Sequence, residues 1–124
     1  MVKVLFAWEL GGGLGHLVPL APIVAGLRER GHEVFLAARD LRRVDHVFGE
    51  FGVNYLQIPF SHGKRSTEIR PPRNFAQILN NCGFGDVAEL RGLTAACRSM
   101  LDLIRPDLIV CDHAPGAFEL SRRR

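Results

Sequence analysis

A glycine-rich segment near the amino terminus, residues 8–16, constrains the fold of this chain more than any other feature. It follows an apolar run over residues 2–7 and precedes an amphipathic helical pattern over residues 17–30. A buried strand, a tight glycine turn and the start of a helix, in that order, are typical of the first unit of a parallel sheet. The segment ends in His16 rather than in a third glycine, so the fingerprint G-x-G-x-x-G is met only in its first half.

The chemistry of this turn follows from its glycines and its histidine. Glycines let another group approach the backbone closely. A helix that begins at residues 14–17 directs free N–H groups and its positive dipole end into the turn, which suits an anion such as a phosphate. The same dipole favours a neutral imidazole at His16, which is able to accept a proton. The sequence therefore predicts either an anion site or a general base here.

Strands and helices alternate along the rest of the chain. Apolar runs predict further strands over residues 34–38, 53–58 and 108–111. Helical patterns are found over residues 17–30, 41–51, 75–82 and 86–104, and a last helix is expected to begin near residue 117. This alternation predicts the α/β class, with a Rossmann-like parallel sheet, helices on both faces and one domain over residues 1–124.

One stretch does not fit this alternation. Residues 60–74 are basic and show no periodicity. Long loops in compact domains are usually functional or disordered. A binding loop and an unstructured excursion both remain open as interpretations of this stretch.

The expected strand order brings two distant residues together. In such sheets the second and third strands lie on one side of the first, the fourth lies on the other, and ligands bind at the carboxyl ends between the first and fourth. His16 follows the first strand and Asp112 follows the fourth. A carboxylate beside a histidine orients the ring and stabilises its protonated form, so the pair predicts a general base. We expect Cys111, one residue earlier, to point into the sheet.

Composition excludes several classes of protein. The net charge is only +3, and three of the arginines lie in the terminal run 122–124, so no nucleic-acid partner is expected. The three cysteines lack metal-ligand spacing and predict buried thiols in a reducing, cytoplasmic compartment, with no metal site. The first apolar run is too short for a membrane span and lacks a clear signal-peptide cleavage site, which predicts a cytoplasmic protein or at most one peripheral to a membrane.

Three segments resemble one family of enzymes. They are GHLVP at residues 15–19, LRERGHEV at residues 27–34 and PDLIVCD at residues 106–112. Together they resemble the N-terminal half of the two-domain GT-B glycosyltransferases, and most closely the UDP-glycosyltransferase-like enzymes that glycosylate small lipophilic acceptors. The likeness extends over the whole chain, with the segments in the same order and at similar spacing.

The resemblance implies a function and a division of labour. The N-terminal domain binds the acceptor, His16 removes the proton of its hydroxyl, and Asp112 pairs with His16. The sugar is inverted in one displacement without an obligatory metal or other cofactor. Residues expected to contact the acceptor are Gly13, Leu14, Gly15, Glu9 and His113.

The donor, a UDP- or dTDP-sugar, binds in that family mostly to a C-terminal domain. Residues 1–124 contain no such domain, so the chain is expected to be a truncated N-terminal domain that is inactive alone. The donor site would then come from a missing domain or a separate chain. An uncovered sheet edge would also favour formation of a homo-oligomer.

Two other functions remain open from the sequence. One is a non-catalytic nucleotide-binding domain, although the third glycine is missing and Asp40 lies beyond the usual reach of a ribose-binding acid. The other is a non-catalytic partner subunit of a separate glycosyltransferase chain. Two residues also have alternative structural roles. Glu9 either contacts an acceptor or caps the glycine turn, and Asp112 is also a suitable cap for the last helix.

Overall fold

Four parallel strands form one sheet in the computed structural model of this chain, which describes residues 1–62 and 67–122. The sheet order is β3-β2-β1-β4, with β1 at Lys3–Trp8, β2 at Glu33–Ala38, β3 at Asn54–Gln57 and β4 at Leu108–Asp112. Helices cover both faces: α1 is Ala21–Glu29, α2 is Val44–Phe48, α3 is Phe75–Leu79, α4 is Val87–Ile104 and α5 is Pro115–Ser121. The predicted Rossmann-like α/β class is therefore confirmed, as is the expected strand order.

The sheet has two separate hydrophobic clusters because successive side chains of a strand point to opposite faces. We call the side covered by α1 and α2 the α1 face; its buried residues are Val4, Phe6, Trp8, Leu17, Val24, Val34, Leu36, Ala38, Val44 and Phe48. The other side is the α4 face; its buried residues are Leu5, Ala7, Ala37, Ile58, Cys97, Met100, Leu101, Ile104, Ala114, Ala117 and Leu120.

The first two helices are shorter than predicted. Two 3₁₀ turns, Leu14–His16 and Val18–Leu20, precede α1, so the regular helix begins four residues after Leu17. Prolines in this segment offer no backbone N–H for a regular helical ladder. Before α2, Asp40 does not cap a helix but accepts hydrogen bonds from Arg42, which lower the pKa of Asp40 to about 2.

Later boundaries also differ from the predictions. The regular helix predicted over residues 75–82 ends at Leu79, and the irregular turn that follows, Asn80–Phe84, is kinked at Gly83, where φ is +98°. The last helix begins at Pro115, two residues earlier than predicted. Part of the basic stretch, residues 63–66, lies outside the described residues.

The prediction that Cys111 is buried was wrong. Its thiol is exposed because β4 is the edge strand of the sheet and has a neighbour on one side only. Partial desolvation and the nearby charge of Glu9 both raise the pKa of the Cys111 thiol. Across the described residues, no helix has the length and apolar character required to cross a bilayer.

Candidate functional site

A histidine and an aspartate lie side by side at the carboxyl ends of the two strands that flank the switch point. The Nδ1 atom of His16 is 2.9 Å from Oδ2 of Asp112. His16 ends the first 3₁₀ turn, and Asp112 is the last residue of β4, paired in register with Trp8. Both side chains are accessible, with 24% and 40% of their surfaces exposed. When Nδ1–H donates to the carboxylate, a neutral ring keeps Nε2 as a proton acceptor.

Packing fixes the plane of the His16 ring. The imidazole stacks on the indole of Trp8, with ring centroids 5.1 Å apart and planes inclined by 20°. Trp8 is itself buried, and its Nε1 donates a 2.7 Å hydrogen bond to the carbonyl oxygen of Leu10. The ring is therefore held on one face by a buried aromatic side chain and at one edge by a carboxylate.

Gly11 leaves room beside the second ring nitrogen. A Cβ atom at this position would lie 2.7 Å from Nε2 of His16. The φ of Gly11 is +86°, a conformation that L side chains rarely adopt. The turn thus brings bare backbone against the imidazole, which a larger residue would crowd.

The other residues predicted to bind substrate lie around this pair. Gly13 and Gly15 are exposed in the turn, and Leu14 is half-buried against the α1 face. Gly13 and Leu14 also line a small hollow of about 180 Å³. The ring of His113 lies 5.8 Å from that of His16, measured between centroids. All four are within the two loops at the carboxyl ends of β1 and β4.

Glu9 has a partner that the sequence does not indicate. Its side chain is buried, with Oε1 accepting from the backbone N–H of Ala117 at 2.7 Å and Oε2 accepting from that of Gly116 at 3.0 Å. Glu9 therefore caps α5 and not the glycine turn, and Asp112 does not cap that helix. Burial raises the pKa of Glu9, although the hydrogen bonds from Ala117 and Gly116 oppose this shift.

A cavity of about 300 Å³ opens on the α4 face near the same end of the sheet. Its wall is mainly apolar and includes Phe60, Phe84, Leu90 and Leu93. Charged groups lie among them: the guanidinium of Arg39 is 4.7 Å from the centroid of the Phe60 ring. This cavity cannot be predicted from the sequence, because Leu90 and Leu93 belong to an apolar helical stripe that is equally typical of a core.

The cavity and the His16 ring are not in direct contact, but a shallow groove of about 640 Å³ adjoins both regions. Gly11, beside Nε2, lines one part of the groove, and Arg39 and Phe60 line both the groove and the cavity. Glu9 and Leu10, which precede Gly11, also line the cavity. One short segment therefore separates the ring from the apolar space.

Over residues 1–62 and 67–122, no three His, Cys, Asp or Glu side chains are grouped as metal ligands. The sequence was also compared with known proteins. No protein-family model matches it, and no curated protein does. The geometry of the site is therefore the basis for assigning a function.

Proposed function

We propose that this chain is the acceptor-binding part of an inverting glycosyltransferase, which transfers a sugar from a nucleotide-sugar to a hydroxyl of a small lipophilic acceptor. One observation carries the proposal: the 2.9 Å contact between His16 and Asp112 at the switch point, with Nε2 directed towards bare glycine backbone. The pair has the composition and geometry of a general base and the carboxylate that orients it.

The proposed reaction is a single displacement. Nε2 of His16 accepts the acceptor's hydroxyl proton while the hydroxyl oxygen forms a bond to the anomeric carbon of the sugar. The bond between that carbon and the nucleotide diphosphate breaks, and the diphosphate leaves with the electron pair. The proton remains on the imidazole, whose positive charge the Asp112 carboxylate stabilises at 2.9 Å. Attack from the side opposite the leaving group inverts the anomeric centre.

The cavity supports the choice of a lipophilic acceptor. Its volume of about 300 Å³ is at the lower end for small-molecule sites and suits a molecule of one or two rings. Aromatic and aliphatic walls favour such a ligand through burial of its apolar surface. The adjoining groove shares Arg39 and Phe60 with the cavity and reaches Gly11, beside Nε2 of His16, which supports a route for the acceptor's hydroxyl.

The donor would be bound elsewhere. In the enzymes that the sequence resembles, a UDP- or dTDP-sugar binds mostly to a second domain, which here would be a further domain or a separate chain. The alternative of dinucleotide binding is less favoured because the imidazole of His16 lies over Gly11. A pyrophosphate needs that close approach to the glycine backbone for itself.

Measurement of sugar transfer tests the proposal. Labelled UDP- and dTDP-sugars and phenolic acceptors would be supplied to this chain, alone and with a donor-binding domain from a GT-B enzyme. We expect no appreciable turnover by the chain alone. With the donor domain, His16→Ala should reduce turnover by about 100-fold or more, the loss expected for a general base. The matched control is His46→Ala, since His46 is exposed on α2.

Two outcomes would contradict this assignment. Near-parental turnover by His16→Ala would show that His16 is not the general base. Tight binding of NAD, with no binding of phenolic acceptors, would instead favour the nucleotide-binding alternative.

A further inference from the structure

We propose that Glu9 is a positioning residue for the pair formed by His16 and Asp112. Its carboxylate joins the end of β1 to the start of α5 and so fixes the turn that follows Asp112. This inference deepens the proposed function and depends on it. It assigns Glu9 a role that acts through other residues, in addition to its place in the cavity wall.

Two sets of hydrogen bonds connect Glu9 to this turn. The carboxylate accepts from the N–H groups of Gly116 and Ala117, and the backbone N–H groups of Glu9 and Leu10 donate to the carbonyl of His113 at 3.2 and 3.0 Å. These bonds hold both the first residue of the turn and the first turn of α5. Because Asp112 directly precedes His113, its position depends on the same bonds.

Asp112 is held by β1 on one side of the strand only, where it pairs with Trp8. It ends an edge strand, and in the described part of the chain His16 is the hydrogen-bond partner of its carboxylate. His113, the next residue, has a φ of +45°, in the left-handed region that is unfavourable for residues other than glycine. Such conformations persist only where surrounding contacts enforce them. The hydrogen bonds that Glu9 and Leu10 form with His113, Gly116 and Ala117 supply those contacts.

A carboxylate is the group that this position requires. Burying a charged group is costly unless hydrogen bonds compensate, and Glu9 is only 6% exposed. Its two oxygens accept from two adjacent backbone N–H groups. A glutamine of the same size would offer one oxygen and place its NH₂ group against the second N–H. Replacing one carboxylate oxygen by an NH₂ group therefore breaks one of the two hydrogen bonds to α5 with little change in side-chain volume.

The test uses NMR of the full chain uniformly labelled with ¹⁵N. The hydrogen-bonded Nδ1–H of His16 should give a downfield ring-proton signal, which Asp112→Asn removes and which thereby identifies it. In Glu9→Gln we expect this proton to exchange with solvent about tenfold faster, the factor that corresponds to one hydrogen bond. A residue that only stabilises α5 would leave this signal unchanged.

A second variant keeps the test decisive if Glu9→Gln fails to fold. In Gly116→Ala, the added Cβ would lie 2.9 Å from Oε1 and 3.1 Å from Oε2 of Glu9, so it displaces the carboxylate without altering it. Alanine also has the higher helix propensity. Gly92→Ala in α4 is the matched control, since a Cβ there meets nothing within 4 Å. We expect the His16 ring proton to exchange faster in Gly116→Ala and at the parental rate in the Gly92→Ala control.

The outcomes separate this inference from the proposed function. If Glu9→Gln and Gly116→Ala change the amide signals of α5 but not the His16 ring proton, Glu9 only caps a helix and the inference fails. If the parent chain lacks the ring-proton signal altogether, the pair itself is absent, and the proposed function fails with it.

Discussion

The two faces of the sheet are packed differently, although β1 supplies side chains to both. On the α1 face, Phe6, Trp8 and Phe48 each have 2% or less of their surface exposed, and the hollow at the strand ends is the smaller one, of about 180 Å³. On the α4 face, Ala7 and Ala37 occupy positions of β1 and β2 that lie side by side in the sheet. The cavity of about 300 Å³ is on this second face.

This difference assigns separate tasks to the faces. His16 stacks on Trp8, the outermost large residue of the α1 face, so the proposed base is held by close packing. A ligand requires unfilled space, which the α4 face provides. Glu9 and Leu10 connect these regions in the chain and line the cavity. A closely packed imidazole and an open cavity therefore lie within a few residues of each other along the chain.

Insertion of a large side chain on each face should give the largest contrast. Val24 is buried on the α1 face, and Val24→Phe should lower the free energy of unfolding by about 3 kcal/mol through overpacking. Leu93 lines the cavity, so Leu93→Phe should change the free energy of unfolding by less than about 1 kcal/mol. Urea denaturation measures both values. Leu93→Phe should also abolish binding of an apolar naphthylamine fluorophore, and equal destabilisation by the two variants would show that the faces do not differ.

Two glycines allow a smaller but more specific test at the edge of the α1 face. Gly11 and Gly13 both have a φ of +86°, so alanine at either position should cost about 1–2 kcal/mol in strain. Only the methyl group at Gly11 would approach Nε2 of His16, whereas a Cβ at Gly13 meets nothing within 4 Å. We therefore expect Gly11→Ala, but not Gly13→Ala, to slow carbethoxylation of His16 by diethyl pyrocarbonate. Equal rates in the two variants would contradict the crowding at Nε2.

The smallest expected effect is on the pH dependence of stability at the junction of the faces. Because burial raises the pKa of Glu9, the folded chain binds this proton more tightly than the unfolded chain does. The contribution of Glu9 to stability is therefore fully present below the ordinary pKa of 4.5 and is lost as the pH rises through the folded-state value.

Comparison with Glu9→Gln isolates this contribution, since glutamine does not titrate. The stability of the parent relative to the variant should fall as the pH increases from 4.5, as measured by urea denaturation at a series of pH values. A stability difference between parent and variant that stays constant or increases with pH would contradict the raised pKa of Glu9.

The sheet and the proximity of His16 to Asp112 followed from the sequence because both depend on simple rules. Apolar runs alternate with helical patterns, and the usual strand order then brings the ends of the first and fourth strands together. The contacts of Glu9 did not follow, since Ala117 is 108 positions away and only the folded backbone brings its N–H to the carboxylate. The exposure of Cys111 was missed because alternation along a strand does not show whether a neighbouring element covers it.

The cavity was missed for a related reason. Hydrophobic periodicity reports which side of α4 is apolar but not what lies opposite that side. Leu90 and Leu93 therefore have the same pattern as the buried Leu101, whereas the structure places them on the wall of an unfilled space. The roles of residues 60–74 and of an acceptor in that space remain predictions.

The position of β4 at the sheet edge has a consequence for the order of folding. β1 and β2 pair across a short connection, whereas Trp8 pairs with Asp112 only after a far longer loop has closed. An intermediate with the first three strands would have the hydrophobic cluster of the α1 face, but His16 would lack its Asp112 partner. We therefore expect the hydrogen bond between His16 and Asp112 to form in the last kinetic phase of refolding, and fraying of this edge strand to break it before global denaturation.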